Sequence, residues 1–235
     1  MSIHYILFDL DGTLLPMDQD RFIKAYFGGL VRKLAPHGYE PEKLIDAIWT
    51  GTGAMVKNDG SRTNEEAFRA HFATIFGEDA RKDEPKFEEF YSTDFQQVQQ
   101  VCGFDPRAAE TIAKLKEMGF TLALATNPIF PAIATQSRMR WAGLQETDFQ
   151  FYTTYENSSY CKPDPRYYRQ VLEKQGARPE ECLMVGNDVT EDMVAQTLGM
   201  QVFLLTDCLI NKGAKDISAW PHGSFDALME HIQNL

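Results

Sequence analysis

The sequence predicts an α/β fold: a parallel sheet covered by helices on both faces, interrupted early by a wholly helical insertion. Three observations carry this expectation. An apolar run, Tyr5-Ile6-Leu7-Phe8, leads directly into Asp9-Leu10-Asp11-Gly12-Thr13. Residues from about 17 to 99 show helical periodicity with no convincing strand, and from residue 105 onward helix and strand patterns alternate. The first strand can join the later ones only if the helical stretch is an insertion. The expected division is therefore 1–16 with 100–235 as a core, and 17–99 as a helical domain.

The elements follow in order. Tyr5–Phe8 reads as a buried strand. In the insertion, Phe22, Tyr26, Phe27, Leu30 and Leu34 fall on one side of a first helix, and Leu44, Ile45, Ile48 and Trp49 on one side of a second. The segment Thr50–Arg62, rich in glycine, reads as a loop between two helices of the insertion. Thr63-Asn64-Glu65-Glu66 resembles a capping box opening a third helix, and a fourth is expected from about Pro85 through Phe95. Beyond it, Asp105-Pro106 reads as N-cap and first helical residue, Gly119 as the C-terminal stop, and 120–125 as a buried strand. Further cycles predict a helix near 129–142, a strand near 149–153, a helix opened by Asp164-Pro165, a strand at 182–185, a helix from about 189 and a strand at 202–205. Trp220-Pro221-His222-Gly223 reads as a turn before a last helix.

With 235 residues, 43% hydrophobic and 24% charged, the chain can bury a core of one large domain or a domain plus an insertion. No apolar run approaches a membrane span, and the N-terminus has no export signature, so the expectation is a cytoplasmic protein with no membrane partner. Cys102, Cys161, Cys182 and Cys208 are scattered, without a CxxC pair or histidine at zinc spacing, which fits a reducing compartment. The net charge of −11 argues against general nucleic-acid binding. The five histidines are equally dispersed and read as surface or packing residues.

Ligands of open parallel sheets bind beyond the carboxyl ends of the strands, so the residues there are the candidates. After the first strand stand Asp9 and Asp11. Two carboxylates two residues apart at the end of a buried strand are costly without a cation or a catalytic use, and Gly12 lets the chain turn so that both can approach one centre. After the second come Thr126-Asn127; near the third, Lys162-Pro163; after the fourth, Gly186-Asn187-Asp188 with Glu191 and Asp192 beyond. Each has a plainer reading: an acidic turn at Asp11-Gly12, a helix N-cap at Thr126-Asn127-Pro128, a solvated cation at Lys162, and acids favoured in a helix first turn from Asp188 to Asp192. Their joint arrival at successive strand ends argues against all four plainer readings at once.

The four segments DLDGTLL (9–15), ATN (125–127), KPDP (162–165) and VGNDVTED (185–192) resemble, in order, the motifs of the haloacid dehalogenase superfamily of phosphohydrolases. The resemblance implies a Rossmann-like parallel sheet core with a helical cap of the C1 type inserted after the first motif. It further implies Asp9 as nucleophile forming an aspartyl phosphate, and Asp11 as the acid that protonates the leaving oxygen and the base that deprotonates water. Mg²⁺ would be held by Asp9, the Asp11 main-chain carbonyl and Asp188. Thr126, Asn127 and Lys162 would bind the phosphoryl group, and Asp192 would stand in the metal's outer shell or pair with Lys162. Asn187 is a departure from the commoner Gly-Asp opening of the fourth motif; Asp188 is preferred as ligand because it keeps four-residue spacing to Asp192.

The implied activity is Mg²⁺-dependent hydrolysis of a small phosphorylated metabolite. A sugar phosphomutase of the same superfamily and a non-catalytic phosphate-binding protein are the alternatives. The plainer reading of Lys57 and Arg62 is a solvated loop; the alternative is that Lys57 or Arg62 contacts the non-reacting part of the substrate. Cys161 reads as a bystander thiol beside Lys162, and monomer and homodimer both remain open.

Overall fold

The computed structural model describes residues 2–235. Its sheet has six parallel strands: β1 (Tyr5–Phe8), β2 (Thr121–Leu124), β3 (Phe151–Tyr152), β4 (Cys182–Gly186), β5 (Gln201–Leu205) and β6 (His222–Gly223), in spatial order β3-β2-β1-β4-β5-β6. Phe8 lies beside Leu124 on one side and Val185 on the other. Because alternate side chains leave opposite faces, Ile6, Phe8, Leu124, Val185 and Phe203 feed one apolar cluster while Leu7, Ala123, Met184 and Leu204 feed a second. A strand buried on both faces must be apolar throughout, which is why these strands read as continuous hydrophobic runs.

The helices between strands cover the two faces. Helices α5 (Pro106–Glu117) and α8 (Phe225–Gln233) contribute Ile112, Leu115, Leu228 and Ile232 to the first cluster. Helix α7 (Pro165–Gln175) contributes Tyr167, Tyr168 and Val171 to the second. Asp105 and Asp164 cap α5 and α7 by accepting from the N–H groups of Arg107 and Arg166, each with proline in the first turn.

Between β1 and α5 lie α1 (Gln19–Leu34), α2 (Pro41–Val56), α3 (Asn64–Phe76) and α4 (Glu84–Ser92), with no strand in the segment. The chain enters and leaves it side by side: Met17 pairs with Cys102, and Gly103 N–H donates to the Pro16 carbonyl at 2.7 Å. Thr63 and Glu66 form the expected capping box of α3. The next residue, Asn64, is fully buried and donates to the Pro128 carbonyl at 3.1 Å, while its own N–H donates to Ser158 O at 2.7 Å. The start of α3 is thereby fastened to loops of the α/β part.

Five local expectations differ from the structure. Thr50–Val56 is the end of α2, so the loop is shorter, covering 57–63. Thr50 and Thr52 donate back to the Asp46 and Ile48 carbonyls inside the helix, and Gly51 is small because the Phe68 ring of α3 lies against it, where a Cβ would come within 2.7 Å. Helix α4 stops at Ser92 and gives way to a 3₁₀ segment, Asp94–Val101. Helix α6 (Ala132–Trp141) begins later than expected, because Pro128 and Pro131 keep the preceding chain extended. The helix expected from 189 is a 3₁₀ turn, Met193–Leu198. His222–Gly223 adds a short edge strand where a turn is expected; two residues carry no alternation to read.

Among the described residues no helix is long and apolar enough to cross a membrane, and the four cysteines are free. The helical segment and the sheet share one continuous apolar cluster, in which Phe95 meets Phe22 and Tyr26 at 6.3 and 6.1 Å between ring centroids and Trp141 of α6 (Ala132–Trp141) at 5.1 Å. Phe95→Ala removes a fully buried ring from this junction and is expected to cost about 3–5 kcal/mol. Urea unfolding measures it, and a loss below about 1 kcal/mol would mean that the junction relaxes around the gap.

Candidate active site

The strand order reverses between β1 and β4, the position where open α/β sheets leave a crevice at their carboxyl ends. A cavity of about 700 Å³ opens there, with Asp9, Asp11, Thr126, Asn127, Asn187, Asp188, Glu191 and Asp192 in its wall. The turn after β1 depends on Gly12, whose φ of +85° disfavours any side chain and whose missing Cβ leaves room for the Asn187 amide. Gly186, at the end of β4, likewise has the Asp192 side chain where a Cβ would stand.

Asp9 is held on both carboxylate oxygens. Lys162 Nζ donates to Oδ1 at 2.9 Å, and the Thr13 hydroxyl, whose single proton is shared with Asn187 Oδ1, lies 2.9 Å from Oδ2. Lys162 also donates to Asp192 Oδ1 at 2.6 Å, and Asp192 accepts the Asp188 N–H on its other oxygen at 2.9 Å. Burial works to strip the proton from Lys162, but the Asp192 and Asp9 carboxylates outweigh it and hold the ammonium well above its ordinary value. Burial pushes the Asp192 carboxyl up, against the pull of the Lys162 ammonium. Asp192 thus stands beside Lys162 in the fold.

Asp11 is built differently. Its Oδ2 pairs with Arg138 of α6, while its Oδ1 is buried without a hydrogen-bond partner. Burial raises its pKa, Arg138 opposes the rise and Asp9 adds to it. Asp11 is thus held through one oxygen only and keeps the other free of any protein partner. Sequence reasoning missed Arg138. The residue is fully buried, donating to the Ala134 carbonyl and the Thr135 hydroxyl, with its guanidinium 4.6 Å above the Phe130 ring. An arginine in the last turn of a helix ordinarily reads as a solvated partner of the helix dipole, so no sequence signal marked it.

Asn187 is absorbed structurally. Besides accepting from Thr13 it donates to the Cys208 carbonyl at 2.6 Å, tying the loops after β1, β4 and β5 together. Asp188, the residue after it, uses Oδ1 to accept the N–H groups of Thr190 and Glu191 and stands in the cavity wall with Asp9. Thr126 is almost fully buried; its carbonyl accepts from the hydroxyls of Thr153 and Tyr167 at 2.7 and 2.8 Å, which fixes the loop after β2. Asn127 donates to Glu191 Oε2 at 3.1 Å, and burial pushes Glu191 up to about 7. Burial also pushes the Cys161 thiol up to about 12, so it stays protonated.

Lys57 and Arg62 are both exposed and are not among the residues that line the cavity. Their loop is closed on itself by Asn58, which donates to the Arg62 carbonyl at 2.9 Å and to Asn64 Oδ1 at 2.9 Å.

Among the described residues no three His, Cys, Asp or Glu side chains form a ready-made metal cluster. The available donors are instead two carboxylates in the cavity wall, Asp9 and Asp188, with Asp11, another lining residue, offering its main-chain carbonyl. That all-oxygen set is of the kind Mg²⁺ accepts, since this ion keeps several waters and takes few protein ligands.

The family model for haloacid dehalogenase-like hydrolases matches residues 3–195, and the chain belongs to that family. It is therefore a hydrolase with a Rossmann-like core. A phosphoglycolate phosphatase of Vibrio parahaemolyticus is 27% identical over 208 residues, covering 87% of this chain and 84% of the relative. Pyrophosphatase PpaX of Bacillus cereus is 24% identical over 199 residues, covering 85% and 81%. A crystal structure of a 2-haloacid dehalogenase from Pseudomonas syringae pv. Tomato superposes with a TM-score of 0.63 over 99% of both chains at 22% identity, a likeness of fold.

The Lys162 network makes a stability prediction. Lys162→Met leaves Asp192, 1% exposed in its side chain, without its counter-ion, and removing one partner of a buried pair costs about 3–5 kcal/mol. Adding Asp192→Leu is expected to return part of that loss. A single variant with an unchanged urea midpoint would contradict the pairing.

Proposed function

We propose that this chain is a Mg²⁺-dependent phosphomonoester hydrolase of small phosphorylated metabolites that works through an aspartyl-phosphate intermediate. The observation that carries the reading is the pairing of two unlike carboxyls at one cavity wall: Asp9, fully dressed by Lys162 and Thr13, and Asp11, with a raised pKa and an unpartnered oxygen. Two neighbouring acids in such different environments suit division into nucleophile and proton carrier.

In this reading the Asp9 carboxylate attacks phosphorus, the ester P–O bond breaks, and Asp11 gives its proton to the departing alcohol. Asp11, now a carboxylate, then takes a proton from the water that attacks the acyl phosphate, which frees Asp9 and inorganic phosphate. Arg138 holds the Asp11 carboxyl in place between the two steps. Lys162 fixes the Asp9 carboxylate and, with Thr126 and Asn127, faces the charge on the transferring group. Asp9, Asp188 and the Asp11 carbonyl would hold Mg²⁺. When bound, the ion neutralises charge so that an anionic nucleophile meets an anionic ester. Residues 17–99 act as the cap that closes over the site and limits its water.

The two phosphatase relatives support hydrolysis of a phosphate ester or anhydride. Displacement of halide is disfavoured chemically, because a halide leaving group needs no proton from a positioned acid such as Asp11.

Phosphate release from a panel of phosphomonoesters, with and without Mg²⁺, tests the proposal. Asp9→Asn is expected to lower kcat at least about a thousandfold while leaving the thermal midpoint within a few degrees. Chelation with EDTA is expected to abolish release and added Mg²⁺ to restore it. Full activity of Asp9→Asn, or of the chelated enzyme, would overturn the nucleophile or the metal respectively.

A further inference from the structure

We propose that the organic part of the substrate is an apolar, ring-bearing alcohol with no second anionic group; this rests on the phosphatase reading above. The cavity has a polar floor at the strand ends and an apolar roof from the helical segment, where Phe22, Tyr26, Trp49, Phe68, Phe87 and Tyr91 line it. Its volume of about 700 Å³ lies in the range that encloses a drug-sized ligand. A two-carbon phosphorylated acid would leave most of that apolar wall facing water.

Charge points the same way. Among the described lining residues Arg69 is the one Lys or Arg, and its guanidinium is occupied by Glu65 at 2.7 Å and Glu84 at 3.1 Å. Glu88 and Glu156 add two more carboxylates to the lining. Lys162 and Arg138 are buried and committed to Asp9, Asp192 and Asp11. The phosphoryl group has the site floor to meet it, but a carboxylate or second phosphate under the roof would face acids with no free cation, and desolvating it there is unfavourable. An aromatic ring pays no such penalty and gains contact with rings that present edges and faces.

The test compares kcat/KM for 2-phenylethyl phosphate, ethyl phosphate and 2-phosphoglycolate, all esters of primary alcohols, so that leaving-group chemistry differs little. The expected order places 2-phenylethyl phosphate about a hundredfold above each of the others, the scale of burying one phenyl ring. Trp49→Ala, at an exposed residue of the wall, is expected to reduce the rate with 2-phenylethyl phosphate more than with ethyl phosphate, mostly through KM. The double variant Glu65→Gln/Glu84→Gln releases Arg69 and is expected to raise kcat/KM for 2-phosphoglycolate about tenfold. A native chain that uses 2-phosphoglycolate as well as or better than 2-phenylethyl phosphate overturns the proposal. If no ester is turned over, p-nitrophenyl phosphate included, the phosphatase reading falls, and calorimetry decides the cavity's preference separately. Tighter binding of 2-phenylethylphosphonate than of phosphonoacetate supports the inference, and the reverse order overturns it.

Discussion

The arrangement at the strand ends depends on one buried ammonium. Lys162 has no exposed side-chain surface and lies between Asp9 and Asp192, which come from the ends of β1 and β4. The chain segments that follow β1, β3 and β4 converge there because the parallel strands all point their carboxyl ends the same way. Without a cation, two carboxylates in so dry a place would repel each other and be costly to ionise. With it, the Asp9 carboxylate is fixed, and Asp192 can in turn hold the Asp188 N–H and so the loop after β4. The glycines at 12 and 186 are the steric side of the same convergence: the space their side chains would fill is occupied by Asn187 and Asp192.

Arg138 plays the corresponding part for Asp11, but through a longer route. It reaches the carboxyl from α6, a helix with buried residues on nearly every side, and is braced by the Phe130 ring and by groups of its own helix. The two acids therefore stand on different supports. One is paired on both oxygens, the other on a single oxygen, and this asymmetry arises from tertiary packing, since both are ordinary aspartates two residues apart in the chain.

The helical segment is not merely appended to the sheet. Its aromatic side chains continue the apolar cluster of the first sheet face through Phe95, Phe130 and Trp141, and Asn64 fastens α3 to the loops after β2 and β3. Rings that reach the cavity form its roof, and the ion pairs of Arg69 with Glu65 and Glu84 close off the one basic residue in its wall. Packing needs and the character of the cavity are thus set by the same residues.

By itself the sequence determined the alternation of strands and helices, the helical stretch between the first two strands, and the strand-end residues, since these rest on local properties: apolar runs, capping residues such as Thr63, Asp105 and Asp164, and turns that need glycine. It misplaced the end of α2, because the role of Gly51 lies in its contact with Phe68, a residue on another helix. It directed attention to Lys57 and Arg62, whose charge is visible in the sequence but whose exposed place outside the cavity lining is not. Arg138 went unnoticed for the converse reason: its partner Asp11 is 127 residues away, and only the folded chain brings them together. Local free energy is written along the chain. Burial and charge pairing between distant residues are properties of the packed molecule, and they decided which acid is dressed, which is left with a free oxygen, and what kind of wall faces them.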